Sequence, residues 1–295
     1  MRPTTADLTA LEEQVEAAFA GRDAENLAVL GYGEISTVLR LDLPGASFAA
    51  KRLPPFPDQA SFDAYAVLFF EYITTLESRG IEVVPSELHS WRVSGSEVAA
   101  YCLQPLIDQG RLLTEFLRDC DQATGLAIVE QLAGAILAVT GSSVGFDGQL
   151  SNWVLGPQGR VAYFDVTTPL LRDGRGKDRL DTGVFLASLP WALRGSLRLI
   201  VPKLIIDAYH RPRSVLVDLA ANFHKERLTE WIPALIEAAN ARVEPPITEV
   251  EVARYYRSDA RMWAVLQSLR KADRWWQRSI RRRPYRFLLP TGIER

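Results

Sequence analysis

One change of pattern constrains this chain more than any other. Up to about residue 103, apolar residues fall in short runs punctuated by Gly and Pro; from Arg111 onward they recur mostly at helical spacing. Residues 26–31, 35–41 and 47–53 are short, rich in Val, Leu, Ile and Ala, and separated by turn formers. They read as three antiparallel strands, the third ended by Pro54, Pro55 and Pro57. Residues 61–79 then place Phe62, Tyr65, Leu68, Phe69, Tyr72 and Leu76 on one helical face, with Gly80 as the cap. Residues 87–93 and 97–103 read as two more strands. Ahead of them all, Leu8, Leu11, Val15 and Phe19 define a first helix, with Thr9 and Glu12 as its capping box.

The second part is different. Residues 112–117 and 122–139 read as helices. Two short apolar runs, 153–155 and 161–164, joined by Gly156-Pro157-Gln158-Gly159, read as a hairpin. Helices are expected over most of the chain beyond 180. The expectation is an α+β protein in two parts: residues 1–104, a small antiparallel sheet of about five strands with one inserted helix, and residues 105–295, mainly helical. With 295 residues, 47% of them apolar, the chain can bury its core without staples. Two cysteines and three scattered histidines exclude a disulfide framework and a zinc cluster. A net charge of -2 gives no global reason to expect nucleic acid. The start has no apolar signal core, and the longest apolar stretch, 191–209, is broken by Arg194, Arg198, Pro202 and Lys203. A cytoplasmic protein with no transmembrane segment is therefore expected.

Several residues carry chemistry. Gly31 and Gly33, followed by Val38, form a Gly-rich turn between two strands, where backbone N–H groups can approach phosphate oxygens. Lys51 sits in the third strand and suits a phosphate as a point charge. Glu71 lies mid-helix beside the apolar face, with Lys51 as its candidate partner. Asn152 and Asp165 stand at adjacent strand ends, where an amide oxygen and a carboxylate can share a magnesium ion. Asp147, in the loop before them, can accept a hydroxyl proton during attack on phosphorus.

This set resembles the protein kinase-like fold, and within it the aminoglycoside phosphotransferase-like branch of small-molecule kinases. Glu71 follows Lys51 by 20 residues, Asn152 follows Asp147 by five, and Asp165 follows Asn152 by 13, spacings that such kinases often use. The resemblance covers about residues 27–181. It implies a bilobal fold, binding of ATP with Mg2+, and an adenine site on the backbone near Gln104 to Asp108. It also implies phosphoryl transfer from the bound nucleotide to a small-molecule hydroxyl. Asp181 resembles the aspartate that opens a helix in small-molecule kinases, and no Ala-Pro-Glu motif follows Asp165. The departures are Ser36 for the third glycine, Gly145-Phe146 where His-Arg or His-Gly normally precedes the loop Asp, Gln149 where a Lys or His is common, and Asp165-Val166-Thr167 for Asp-Phe-Gly. They leave a second reading, a kinase-like pseudoenzyme that acts as a nucleotide-binding or scaffold protein.

Two further motifs read as ordinary structure. Gly141-Ser142-Ser143-Val144-Gly145 matches a hydrolase elbow but lies between a helix and a loop rather than between strand and helix. Gly174-Arg175-Gly176-Lys177 lacks most of a Walker loop and reads as a solvated turn. Near the C-terminus, Arg270, Lys271, Arg274, Arg278 and four later arginines interleave with Trp275, Trp276, Tyr285 and Phe287. The simpler expectation packs the aromatics and leaves the Arg face wet. The other is a surface for an anionic partner or membrane.

Overall fold

The computed structural model describes residues 3–19, 27–32, 36–181 and 206–280. Gly33, the segment after Asp181, most of the apolar stretch 191–209 and the tail beyond 280 lie outside the described residues.

The first part is an antiparallel sheet in the order β1-β2-β3-β6-β5. Its strands are β1 (Val29–Tyr32), β2 (Thr37–Leu43), β3 (Ala46–Arg52), β5 (Glu87–Ser94) and β6 (Glu97–Pro105). Helix α2 (Gln59–Ser78) enters after β3, with the Asp58 carboxylate capping Ser61 N–H at 2.8 Å. The two faces of the sheet are covered by different helices. Side chains alternate along a strand, so Leu39, Ala50, Tyr101 and Leu103 face α1 (Thr5–Phe19) and close one core with its Leu8, Leu11 and Val15. Val98, Ala100 and Cys102 face the other way and join Phe62, Tyr65, Phe69 and Tyr72 of α2 in the main core.

The start of α1 differs from expectation. Thr4 and Asp7 form the capping box, with Thr4 N–H and Oγ1 donating to Asp7 Oδ2 at 2.8 and 2.6 Å. Thr9 lies inside the helix, its hydroxyl donating to Thr5 O, and Glu12 is buried against the sheet.

A two-residue strand, β4 (Glu82–Val83), leaves the first part and pairs parallel with β8 (Val161–Tyr163), which pairs antiparallel with β7 (Trp153–Leu155). The hairpin expected from the sequence therefore sits in a three-stranded sheet that the first part completes. The longer helices of the described remainder are α3 (Leu113–Asp119), α4 (Gln122–Val139), α5 (Pro212–Lys225), α6 (Ile232–Asn240) and α7 (Glu249–Trp275). Among the described residues, α4 alone is long and apolar enough to cross a membrane. Its Ile128, Val129, Leu132, Ile136 and Val139 are buried in the main core, the pattern of an interior helix.

The end of α7 departs from the simple division of wet arginines and packed aromatics. Arg270 is buried, its guanidinium 5.7 Å from the centre of the Trp263 ring, while Trp275 is 61% exposed.

Candidate functional site

Lys51 projects from β3 on the α2 side of the sheet, opposite Val38 on β2 and Cys102 on β6. Its ammonium donates to Asp165 Oδ1 at 2.6 Å, across 114 residues of sequence. Asp165 lies two residues beyond the end of β8. Burial pushes its carboxyl up, but Lys51 and the hydroxyl and backbone N–H of Thr167 outweigh that and hold it below the ordinary carboxylate range. The Thr167 hydroxyl donates to the same Oδ1 at 3.0 Å. Burial pushes the neighbouring Cys102 thiol up to about 12 despite Lys51, so it stays a neutral wall of the site.

Asn152 stands at the start of the hairpin. Its Nδ2 donates to Asp147 O at 3.2 Å, and its own carbonyl accepts from Phe164 N–H at 3.1 Å. The side chain is thus tied to the loop bearing one candidate carboxylate and its backbone to the strand bearing the other. Asp147 is half-buried, its Oδ1 accepting from Gln149 N–H at 3.3 Å. The charges of both carboxylates raise the phenol pKa values of Tyr72 and Tyr163, on top of burial, so both carboxylates border the same aromatic floor.

The loop carrying Asp147 is held from several sides. Gly145 N–H donates to Leu170 O and Phe146 N–H to Tyr209 O, at 2.7 and 2.9 Å. A Cβ on Gly145 would lie 2.8 Å from His210 Nε2, and one on Gly148 would lie 2.7 Å from Ile136 Cδ1, so a side chain at either position would force its neighbours to shift. His210 is buried, with Nδ1 3.0 Å from Gly141 O, and lies beside Arg172, which bridges Asp178 and Asp207. Burial, with Arg172, holds its pKa below the usual histidine value in spite of the Gly141 carbonyl and those aspartates.

Other expected site residues take different places. Glu71 does not pair with Lys51. It lies on the exposed side of α2 and makes a two-pronged pair with Arg179, Nη2 to Oε2 at 2.7 Å. The reason is register: Leu68, Phe69 and Tyr72 take the buried face. The Gln104 side chain donates to Phe164 O at 2.7 Å and to Ser86 Oγ at 2.9 Å, which ties β6 to the approach to Asp165. In the segment that follows β6, Leu106 N–H is spent on Ser47 O. Gly31 pairs with Val38, and the space where its Cβ would stand is open to 4 Å.

Tyr65, Tyr72, Thr167 and His210 enter the site, and Arg179 the ion pair outside it, without having been assigned a role from the sequence. Of these, only Thr167 left a local signal, a hydroxyl two residues after an aspartate. Among the described residues no cluster of three or more His, Cys, Asp or Glu side chains stands at metal-ligating separation. A metal here would be held by the Asp165 carboxylate and the Asn152 amide oxygen. That donor set suits a hard cation that keeps waters and takes phosphate oxygens.

Fold and site together define a class: an α+β protein in which an antiparallel sheet presents a lysine to a carboxylate at the end of a hairpin, beside a loop bearing a second carboxylate. The chain belongs to the family of unknown function DUF6206, whose model matches residues 10–274. A comparison with curated proteins returns no match.

Proposed function

We propose that the protein is a bilobal, kinase-like phosphotransferase that uses ATP and Mg2+ to phosphorylate a hydroxyl of a small molecule in the cytoplasm. The observation that carries this reading is the Lys51–Asp165 contact at 2.6 Å, with Asn152 at the neighbouring strand end and bonded to the Asp147 carbonyl. A bound magnesium nucleotide would supply the transferable phosphoryl group and neutralise its charge. Asp165 and Asn152 Oδ1 would be the protein's oxygen ligands. Lys51, a point charge on a flexible stem, would exchange its carboxylate partner for a phosphate oxygen. Asp147 would receive the proton of the acceptor hydroxyl.

The test is thermal unfolding with and without Mg2+–ATP, for the native chain and Asp165→Ala. Ligand at 100 times its Kd should add about 2.7 kcal/mol, provided it binds only the folded state. A magnesium-dependent rise that Asp165→Ala abolishes supports the reading. No rise with any common nucleotide overturns it. A pseudoenzyme is the second reading, favoured by one observation: Arg179 holds Glu71, which leaves Lys51 without a carboxylate from α2. Nucleotide binding with no phosphoryl transfer to any acceptor, and no difference on Asp147→Asn, would select it.

A further inference from the structure

Helix α2 reaches the site through two tyrosine hydroxyls. Tyr65 Oη donates to Thr167 O at 2.9 Å, and Tyr72 Oη donates to Gly145 O at 3.0 Å. Both rings are buried. The two residues are seven apart, which places them on one face two helical turns from each other, roughly 10 Å along the axis. Each hydroxyl grips the backbone two residues from a candidate carboxylate: Thr167 comes two after Asp165, and Gly145 two before Asp147. Thr167 in turn donates its hydroxyl to Asp165. Neither bond is needed to satisfy a helix or a sheet. Phenylalanine would fill the same volume in both places, so packing alone does not explain the hydroxyls.

We propose that Tyr65 and Tyr72 are positioning residues that use α2 as a rigid rule to set the spacing of Asp165 and Asp147. In this arrangement the helix organises the site through its buried tyrosines, while its glutamate is engaged outside. The consequence for catalysis rests on the phosphotransferase reading; the gripping of the two segments does not.

The test uses Tyr65→Phe and Tyr72→Phe, which keep the rings. Amide hydrogen exchange on the ligand-free chain is the first measurement. Tyr65→Phe should speed exchange over residues 165–168 and leave 145–149 unchanged, and Tyr72→Phe should do the reverse. The second measurement is function. A lost hydrogen bond corresponds to a change of about 2- to 10-fold. Tyr65→Phe should weaken Mg2+–ATP binding by that factor, and Tyr72→Phe should lower phosphoryl transfer by that factor with affinity held within about twofold. Segment-specific exchange with this split supports the proposal. Uniform loosening of both segments, or no change in either, overturns it. If the native chain binds no nucleotide, the phosphotransferase reading falls and the exchange result alone decides the latch.

Discussion

Lys51 and Arg52 are neighbours on β3, and the pleat sends their charges to opposite faces of one sheet. On the α1 face, Arg52 meets Glu12 with two parallel bonds, Nε to Oε2 at 2.8 Å and Nη2 to Oε1 at 2.6 Å. Tyr101 donates to the same carboxylate at 2.6 Å, and the Phe19 ring lies 5.1 Å from the guanidinium. Burial pulls the Arg52 pKa down, yet Glu12 more than restores it. On the α2 face, Lys51 makes one contact with one oxygen of Asp165, which stays a quarter exposed. A planar fork locked on both prongs is held in place by its carboxylate; a point charge with one partner can change it. The same sheet thus carries a closed, structural ion pair on one side and an exchangeable one on the other.

That contrast can be broken with four substitutions, in falling order of effect. Arg52→Met strands the Glu12 carboxylate in the core and should cost about 3–5 kcal/mol in urea unfolding. A loss of less than 1 kcal/mol would mean that the pair is not structural. Lys51→Met leaves Asp165 its Thr167 donors and some water, and should cost about 1–3 kcal/mol at neutral pH. Its pH dependence is more telling. Asp165 has a depressed pKa in the folded state, so its contribution is complete above the unfolded carboxyl value and lost as pH falls through the folded one. Removing Lys51 raises that folded value and narrows the window in which acid costs stability, so the variant should lose less stability than the native chain as pH falls, and the cost of the substitution should shrink toward low pH. An unmoved acid limb would argue against the contact.

Arg52→Lys, which keeps the charge and loses the fork, should cost about 1 kcal/mol. If it is silent, geometry matters less than charge on the α1 face. Smallest of all, Glu71→Gln removes an ion pair whose side chains are 45% and 35% exposed. The expected loss is under about 0.5 kcal/mol after solvent screening, and it should vanish in 1 M salt. A salt-insensitive loss of more than 1 kcal/mol would show that Glu71 holds Arg179 for a structural purpose.

Much of the fold was readable along the chain because it is local. The strands at 37–43 and 46–52, helix 59–78 and the hairpin at 153–163 lie within a few residues of their expected limits, since alternation, helical spacing and Gly-Pro punctuation are short-range signals. The failures come where a short local signal is decided by a distant partner. Thr4-x-x-Asp7 and Thr9-x-x-Glu12 are competing candidates for one helix start, and the burial of Glu12 under Arg52 removes the second. Strand β4 is two residues long, too short for any period to register, and its existence depends on β8, some 80 residues away. At the site, the residue types of Lys51, Asn152 and Asp165 and their order were legible. The tyrosines of α2 were read only as apolar face, because a hydroxyl's partner leaves no mark on a helical period.

Residue sequence alone therefore determined most of the strands and helices, and that Lys51 and Arg52 must face opposite ways, because backbone geometry repeats every 2 or 3.6 residues. Only the tertiary structure decided the partners. Lys51 and Asp165 are 114 residues apart, and Glu71 and Arg179 are 108 apart. No periodicity spans such distances. An ion pair or a buried hydroxyl bond forms wherever packing brings two groups within about 3 Å, and that packing placed Glu71 outside, where Arg179 waits, and two tyrosines inside, where the loops of Asp147 and Asp165 pass.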